Sequence, residues 1–218
     1  MKVLVFDTET TGLPISRNYR NPLWYKKHPY IVQISWILFD TDSMTIMNTT
    51  DHIVKVPDHI GISESSSAIH GITKDRSMNE GVDIKKIIFE FLVILDRSDM
   101  IIGHNIDFDI RMIKAEYLRN GCIDPFITKK YIPTYCTMEK GTPICKILVT
   151  NKRTGNTYYK WPKLIQLHKK LFNTEPKNLH NSLTDIYVTL RCYCFIENGI
   201  DLLSVSKSFA NKTKHIFA

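Results

Sequence analysis

The chain opens on a short unbroken apolar run, Val3-Leu4-Val5-Phe6, that stops at Asp7-Thr8-Glu9-Thr10. A run this brief, bounded by polar residues, predicts a buried strand. Residues 31–39 alternate or run apolar and predict a second, mostly buried strand, so that the chain starts as a hairpin or meander. The connection between them, 14–30, carries Pro14, Pro22 and Pro29 and is longer than most loops of a compact domain, which marks it as a border of a substrate site. His52–Val56 reads as a third strand ended by Pro57, and Ser63–His70 as a short helix closed by Gly71. Apolar residues at 82, 84, 87, 88, 91, 92 and 95 have the spacing of an amphipathic helix lying on a sheet. Met100–Gly103 is a short buried strand, followed by a helix from about Phe108 to Asn120 that Gly121 stops. Residues 144–161 form an inserted β-hairpin turning at Thr154-Gly155-Asn156. Pro162 heads a helix through Leu171, and a final long helix runs from about Asn181 to Glu197. The order predicts one α/β domain over 1–205, with 206–218 as a tail that frays.

Composition narrows the class. The chain has 218 residues, 43% of them hydrophobic and 11% aromatic, enough for a sizeable core. A net charge of +7 favours a polyanionic partner, nucleic acid first. Five cysteines without a CxxC pair or zinc-type spacing support neither a disulfide framework nor structural zinc, and point to a reducing compartment. The N-terminus runs straight into an acidic turn and no long apolar stretch occurs, so the expectation is a soluble, unprocessed, intracellular protein, cytoplasmic or nuclear, with no membrane partner.

Three separated stretches carry the chemistry. Asp7 and Glu9 stand two residues apart on a strand or just past it, so both side chains project to one side, and two carboxylates aimed at one point repel unless a cation lies between them. An exposed acidic turn is the plain alternative. Asp107 and Asp109 open a helix, where acids are also favoured by the helix dipole or as caps; the residues alone do not choose between them. Asp185 sits on a helix apolar around most of its circumference, so its charge requires a partner, either a metal or a salt bridge to Arg191 or a lysine. His180 lies at that helix's entrance, a position equally suited to a surface or capping residue.

Jointly, Asp7-Thr8-Glu9-Thr10-Thr11-Gly12-Leu13, His104-Asn105-Ile106-Asp107-Phe108-Asp109 and His180 with Asp185 resemble the motifs of the DEDDh (DnaQ-like) exonuclease family, as does Ala68-Ile69-His70-Gly71-Ile72-Thr73 between the first two. The resemblance covers residues 1 to about 200. It implies an RNase H-like core, a mixed five-stranded sheet flanked by helices, and it selects Asp109 over Asp107. It implies two Mg²⁺ or Mn²⁺ ions held by Asp7, Glu9, Asp109 and Asp185: Asp7 is shared by both, Glu9 and Asp185 complete the site on the attacking water's side, and Asp109 holds the second ion. His180 is then the general base, which requires a neutral imidazole. The implied activity is 3′-to-5′ release of nucleoside 5′-monophosphates from nucleic-acid 3′ ends. Single-stranded DNA is the leading substrate, in proofreading or repair, with a DNA polymerase or repair assembly as a partner. Thr10, Gly12, Leu13, His70, Asn105 and Phe108 are expected at the terminal nucleotides; core packing is the alternative for Leu13 and Phe108. RNA 3′-end trimming uses the same acids, and a non-catalytic nucleic-acid-binding accessory role is the reading from another class.

The 14–30 connection and the hairpin depart from the compact bacterial form of the family. From Lys140 to Lys177 the bases Lys140, Lys146, Lys152, Arg153, Lys160, Lys163, Lys169, Lys170 and Lys177 face only Glu139 and Glu175, with Tyr158, Tyr159 and Trp161 interleaved. A solvated helix face accounts for some of the bases, and the aromatic residues suit a dimer or partner surface as well as a surface that tracks a nucleic-acid backbone upstream of the cleaved end. Charge reversal at Lys152 and Arg153 is expected to weaken nucleic-acid binding and flatten its salt dependence in a titration over ionic strength. An unchanged affinity and slope would remove the hairpin from that role.

Overall fold

The computed structural model describes residues 1–14, 23–128 and 132–217. Of the connection at 14–30, residues 15–22 lie outside that set. In chain order the elements are β1 (Lys2–Thr10), β2 (Ile31–Asp40), β3 (Thr45–Ile53), α1 (Glu64–His70), α2 (Lys74–Glu80), α3 (Ile84–Asp96), β4 (Met100–Gly103), α4 (Ile106–Arg119), α5 (Pro125–Thr128), β5 (Thr134–Cys136), α6 (Thr137–Cys145), β6 (Leu148–Thr150), β7 (Thr157–Tyr159), α7 (Leu164–Phe172), α8 (Ser182–Asn198), α9 (Leu202–Val205) and α10 (Lys207–Phe217). Among the described residues no helix is long and apolar enough to cross a membrane.

The expected α/β fold with a mixed five-stranded sheet is present. Its order is β3-β2-β1-β4-β5, with β1 antiparallel to β2 and parallel to β4, and β6 and β7 make a separate hairpin. β1 is central and buried on both faces, which is why its apolar run is continuous rather than alternating. Its pleat nevertheless sorts the side chains. Val3 and Val5 join Ile186, Leu190 and Tyr193 of α8, whereas Leu4 and Phe6 join Phe91 of α3 and Met112 and Ile113 of α4. The sheet is thus a layer between α8 with its neighbours and the α3–α4 pair.

Capping places the predicted helices. Ser63 accepts a hydrogen bond from the Ser66 N–H to start α1, and Asp83 does the same with Lys85 for α3. At the end of α8, Gly199 takes a left-handed φ of 67°, which a side chain would oppose. Three expectations need correction. The third strand is Thr45–Ile53, not His52–Val56: β3 is a sheet edge with every residue exposed or half-buried, so it lacks an apolar signature, and Val54 makes only a single bridge to Val82 as the chain leaves the sheet. α4 begins two residues earlier than expected, with Asn105 as its N-cap residue, so Asp107 lies in the first turn, exposed and 3.7 Å from Arg111. The segment from 206 is not a frayed tail. It forms α10, whose Phe209, Thr213 and Ile216 are buried in the α8 core, and the Ile216 carbonyl accepts the Lys177 N–H.

Two buried arginines brace the molecule. Arg191 pairs with Asp201 at 2.7 Å and lies over the rings of Phe172 and Phe217, fastening α10 to α8. Arg119 of α4 pairs with Glu116 at 2.6 Å, stacks 3.9 Å from the Tyr30 ring, and donates to the carbonyls of Tyr25, His28 and Pro29. Because Phe209 is fully buried, Phe209→Ala is expected to cost about 3–5 kcal/mol in a urea unfolding titration. A change below about 1 kcal/mol would show that α10 contributes little to the core.

Candidate active site

The pleat of β1 continues past its apolar stretch. Asp7 and Glu9 fall on the Val3–Val5 side, facing α8, and Thr8 falls on the opposite side, facing α4. Oxygens of Asp7, Glu9 and Asp185 accordingly lie within 4.8 Å of one another. Asp109, from the first turn of α4, approaches from the other face. Its Oδ1 accepts the Thr8 N–H at 2.9 Å and the Thr8 hydroxyl at 2.7 Å. One strand thereby gathers carboxylates from two helices on opposite faces of the sheet.

The side chains beside the acids hold α8 in register. In the β1–β2 ladder Asp7 stands opposite Ser35 and Glu9 opposite Gln33. The Ser35 hydroxyl donates to Asp51 at 2.7 Å and accepts from the Ser182 hydroxyl at 2.6 Å. Gln33 donates its amide to Asp51 at 2.8 Å and accepts the Ser182 N–H at 3.3 Å. Gln33, Ser35, Asp51 and Ser182 therefore fix the start of the helix that delivers Asp185. They were not anticipated, although two polar residues within an otherwise apolar buried strand are a readable signal.

Electrostatically the cluster is unbalanced. None of the four acids has an ion-pair partner among the described residues, and the salt bridge considered for Asp185 is absent because Arg191 is taken by Asp201. Burial pushes Asp7 from 3.8 up to about 7; burial and then the Asp7 charge push Glu9 from 4.5 up to about 8. Asp109 and Asp185 are raised well above the ordinary carboxylate range, by burial first and by Asp7 second. Asp185 Oδ2 accepts the His180 N–H at 3.2 Å, whereas its buried Oδ1 has no hydrogen-bond partner. An orphaned buried oxygen among acids that lack counter-charge fits a bound divalent cation, and oxygen-only donors fit Mg²⁺ or Mn²⁺.

His180 is exposed, and its ring makes no hydrogen bond to another described residue. Its backbone is left-handed, φ = 66°, a conformation costing on the order of 1 kcal/mol for a residue other than glycine. The N–H bond to Asp185 helps retain it. The expected nucleotide contacts divide into two groups. Leu13, Asn105 and Phe108, the last adjacent in sequence to Asp109, line a cleft of about 560 Å³. Leu13 is 83% exposed, which rules out the core-packing alternative for it, whereas Phe108 is half-buried against the α4 core as well. A Cβ at Gly12 would meet no atom of the described residues within 4 Å, which leaves the backbone there open to a ligand on their side.

Thr10 and His70 are buried and engaged internally. The Thr10 hydroxyl donates to the Gly12 carbonyl at 2.7 Å. His70 Nδ1 accepts the Ile72 N–H at 3.1 Å while its Nε2 faces the Thr10 carbonyl at 3.3 Å. These two shape the turn after β1. His104 is likewise internal, between the Thr137 hydroxyl and the Pro162 carbonyl.

Comparison with known proteins places this geometry. An exonuclease family, RNase_T, matches residues 4–193. The chain is 26% identical over 202 residues to a DNA polymerase III subunit epsilon of Buchnera aphidicola, covering 93% of this chain and 75% of that one. Its fold matches Escherichia coli Exonuclease I in complex with a dT13 oligonucleotide, with a TM-score of 0.64 and 16% identity over 89% of this chain and 41% of that one. Exonuclease I from Methylocaldum szegediense matches with a TM-score of 0.64 and 16% identity, over 97% and 44%. The chain thus spans roughly two fifths of the length of those Exonuclease I chains. With a match that takes in all three acid-bearing segments, this chain belongs to the RNase_T exonuclease family.

Proposed function

We propose that the chain is a divalent-metal-dependent 3′-to-5′ exonuclease acting on single-stranded DNA ends. The observation that carries this is the convergence of Asp7, Glu9 and Asp185 within 4.8 Å, with Asp109 beside Asp7 and an unpartnered buried oxygen on Asp185. Membership in an exonuclease family and likeness to an epsilon subunit and to a DNA-bound Exonuclease I support DNA as the polymer, and the epsilon likeness supports a polymerase partner.

In this mechanism Asp7, Glu9, Asp109 and Asp185 would hold the cation pair. A bound divalent cation supplies a Lewis acid for the phosphodiester and for its water nucleophile. The exposed His180 imidazole takes a proton from the attacking water as the new P–O bond forms. The P–O3′ bond breaks, and the departing 3′ oxygen takes up a proton from solvent. Leu13 and Phe108 flank the terminal nucleoside, and the open backbone at Gly12 admits its phosphate.

Digestion of 5′-labelled single-stranded DNA with Mn²⁺ is expected to shorten it stepwise from the 3′ end. Asp7→Ala abolishes this, and His180→Ala lowers kcat by about 10²–10⁴-fold. No cleavage with binding retained would leave only the accessory-module reading, and faster cleavage of matched RNA would reassign the substrate.

Cation binding has its own signature. The metal-free folded protein keeps protons on Asp7 and Glu9 up to about pH 7 and 8 that the unfolded chain releases near pH 4. Its stability therefore falls as pH rises through that window. In thermal melts Mn²⁺ is expected to raise Tm by several degrees more at pH 8 than at pH 5, with the increment lost in Asp7→Ala. An equal increment at both pH values would contradict these carboxylates as the ligands.

A further inference from the structure

The cleft that holds Leu13 and Phe108, the residue before Asp109, has a wall that the proposed chemistry leaves unused. Its lining runs from Leu13 after β1 and Phe108 before Asp109 to Trp161, at the foot of the β6–β7 hairpin. Trp161 is 65% exposed although it stands in a concave site. A large aromatic side chain held in water at a cleft is the kind of surface a ligand covers.

Trp161 is also held in place. The buried Pro162 next to it offers its carbonyl to His104 Nε2 at 3.0 Å, and His104 Nδ1 meets the Thr137 hydroxyl at 3.0 Å. A carbonyl only accepts, so the ring proton is on Nε2. The segment that begins with His104 and ends in Asp109 is in this way bonded directly to the base of the hairpin.

Beyond Trp161 the hairpin is open and basic. Lys146, Lys152, Arg153 and Lys163 are exposed and form no ion pair with another described residue, and Tyr158 and Tyr159 are each about half exposed. This charge complements a polyanion leaving the acid cluster, and the aromatic faces suit unpaired bases. We infer that Trp161 is a stacking platform for a base upstream of the cleaved bond, and that His104 is its positioning residue. The inference rests on the proposed nuclease reading for its ligand, single-stranded DNA. Because a base stacked on the indole gives up its neighbour in a duplex, the platform selects unpaired 3′ ends.

The test is the binding of a 5′-fluorescein-labelled oligothymidylate to the full chain, followed by anisotropy in EDTA at low salt, where nothing is cleaved. Trp161→Ala is expected to weaken binding roughly tenfold, and Trp161→Phe, which keeps an aromatic face, to retain most of the affinity. His104→Gln, which keeps a donor for the Pro162 carbonyl, is expected to bind as wild type does, and His104→Leu to lose affinity as Trp161→Ala does. Wild-type affinity in Trp161→Ala, or equal losses in the alanine and phenylalanine variants, would overturn the platform. Equal affinities for His104→Gln and His104→Leu would overturn the role of His104. Hydrolysis of the p-nitrophenyl ester of thymidine 5′-monophosphate by the wild type, a substrate with no upstream strand, reads the nuclease chemistry separately. If the ester stays intact while oligothymidylate binding still depends on Trp161, the nuclease reading falls and the platform stands.

Discussion

Carboxylates that repel one another are kept within reach by the two-residue pleat of a single buried strand. β1 is anchored on both faces by apolar side chains, and where that anchoring ends the same alternation turns Asp7 and Glu9 to α8 and Thr8 to α4. A slip of one residue in the β1–β2 ladder would reverse both the core and the acids. The long register from Lys2 opposite Asp40 to Glu9 opposite Gln33 opposes that slip, so core packing and site geometry are one constraint.

The arrangement sets stability against chemistry. Four acids without a protein counter-charge destabilise the metal-free fold above neutral pH, and the surrounding structure offsets this with closely bonded elements. α8 is buried over most of its surface and fixed at its start by Ser182 on Ser35 and Gln33. Its far side is braced by α10 through Arg191, Phe172 and Phe217. The helix α10, which carries none of the four acids, thus stiffens the element that carries Asp185.

Much of this was legible beforehand because it rests on strong local signals. The apolar run of β1, the spaced apolar residues of α3 and the glycine stop of α8 each reflect a rule that acts within one turn or one strand. Each acid taken alone had a plain structural explanation in a turn, a cap or a salt bridge, and the acid-bearing motifs stood out only jointly, through their resemblance to the DEDDh family. What was not legible depends on tertiary context. β3 is an edge with little to bury, α2 buries only Ser77, and β5 is three residues long. α10 draws its order from a core assembled out of distant segments. His70 and His104 have the composition of ligand contacts, but the fold assigns their nitrogens to backbone and hydroxyl partners.

Arg119 has a consequence for how such a site is insulated. With Tyr25, His28 and Pro29 on its guanidinium, and with Tyr30 and Thr11 exchanging hydrogen bonds, the chain's return to the sheet is secured where it rejoins β2. Thr10 and Gly12 close the departing side in the same fashion. The two ends of the long connection are clamped like the posts of a gate, by Thr10 and Gly12 on one side and by Arg119 on the other. Strain that enters through the connection meets these bonds before it reaches Asp7 or Glu9.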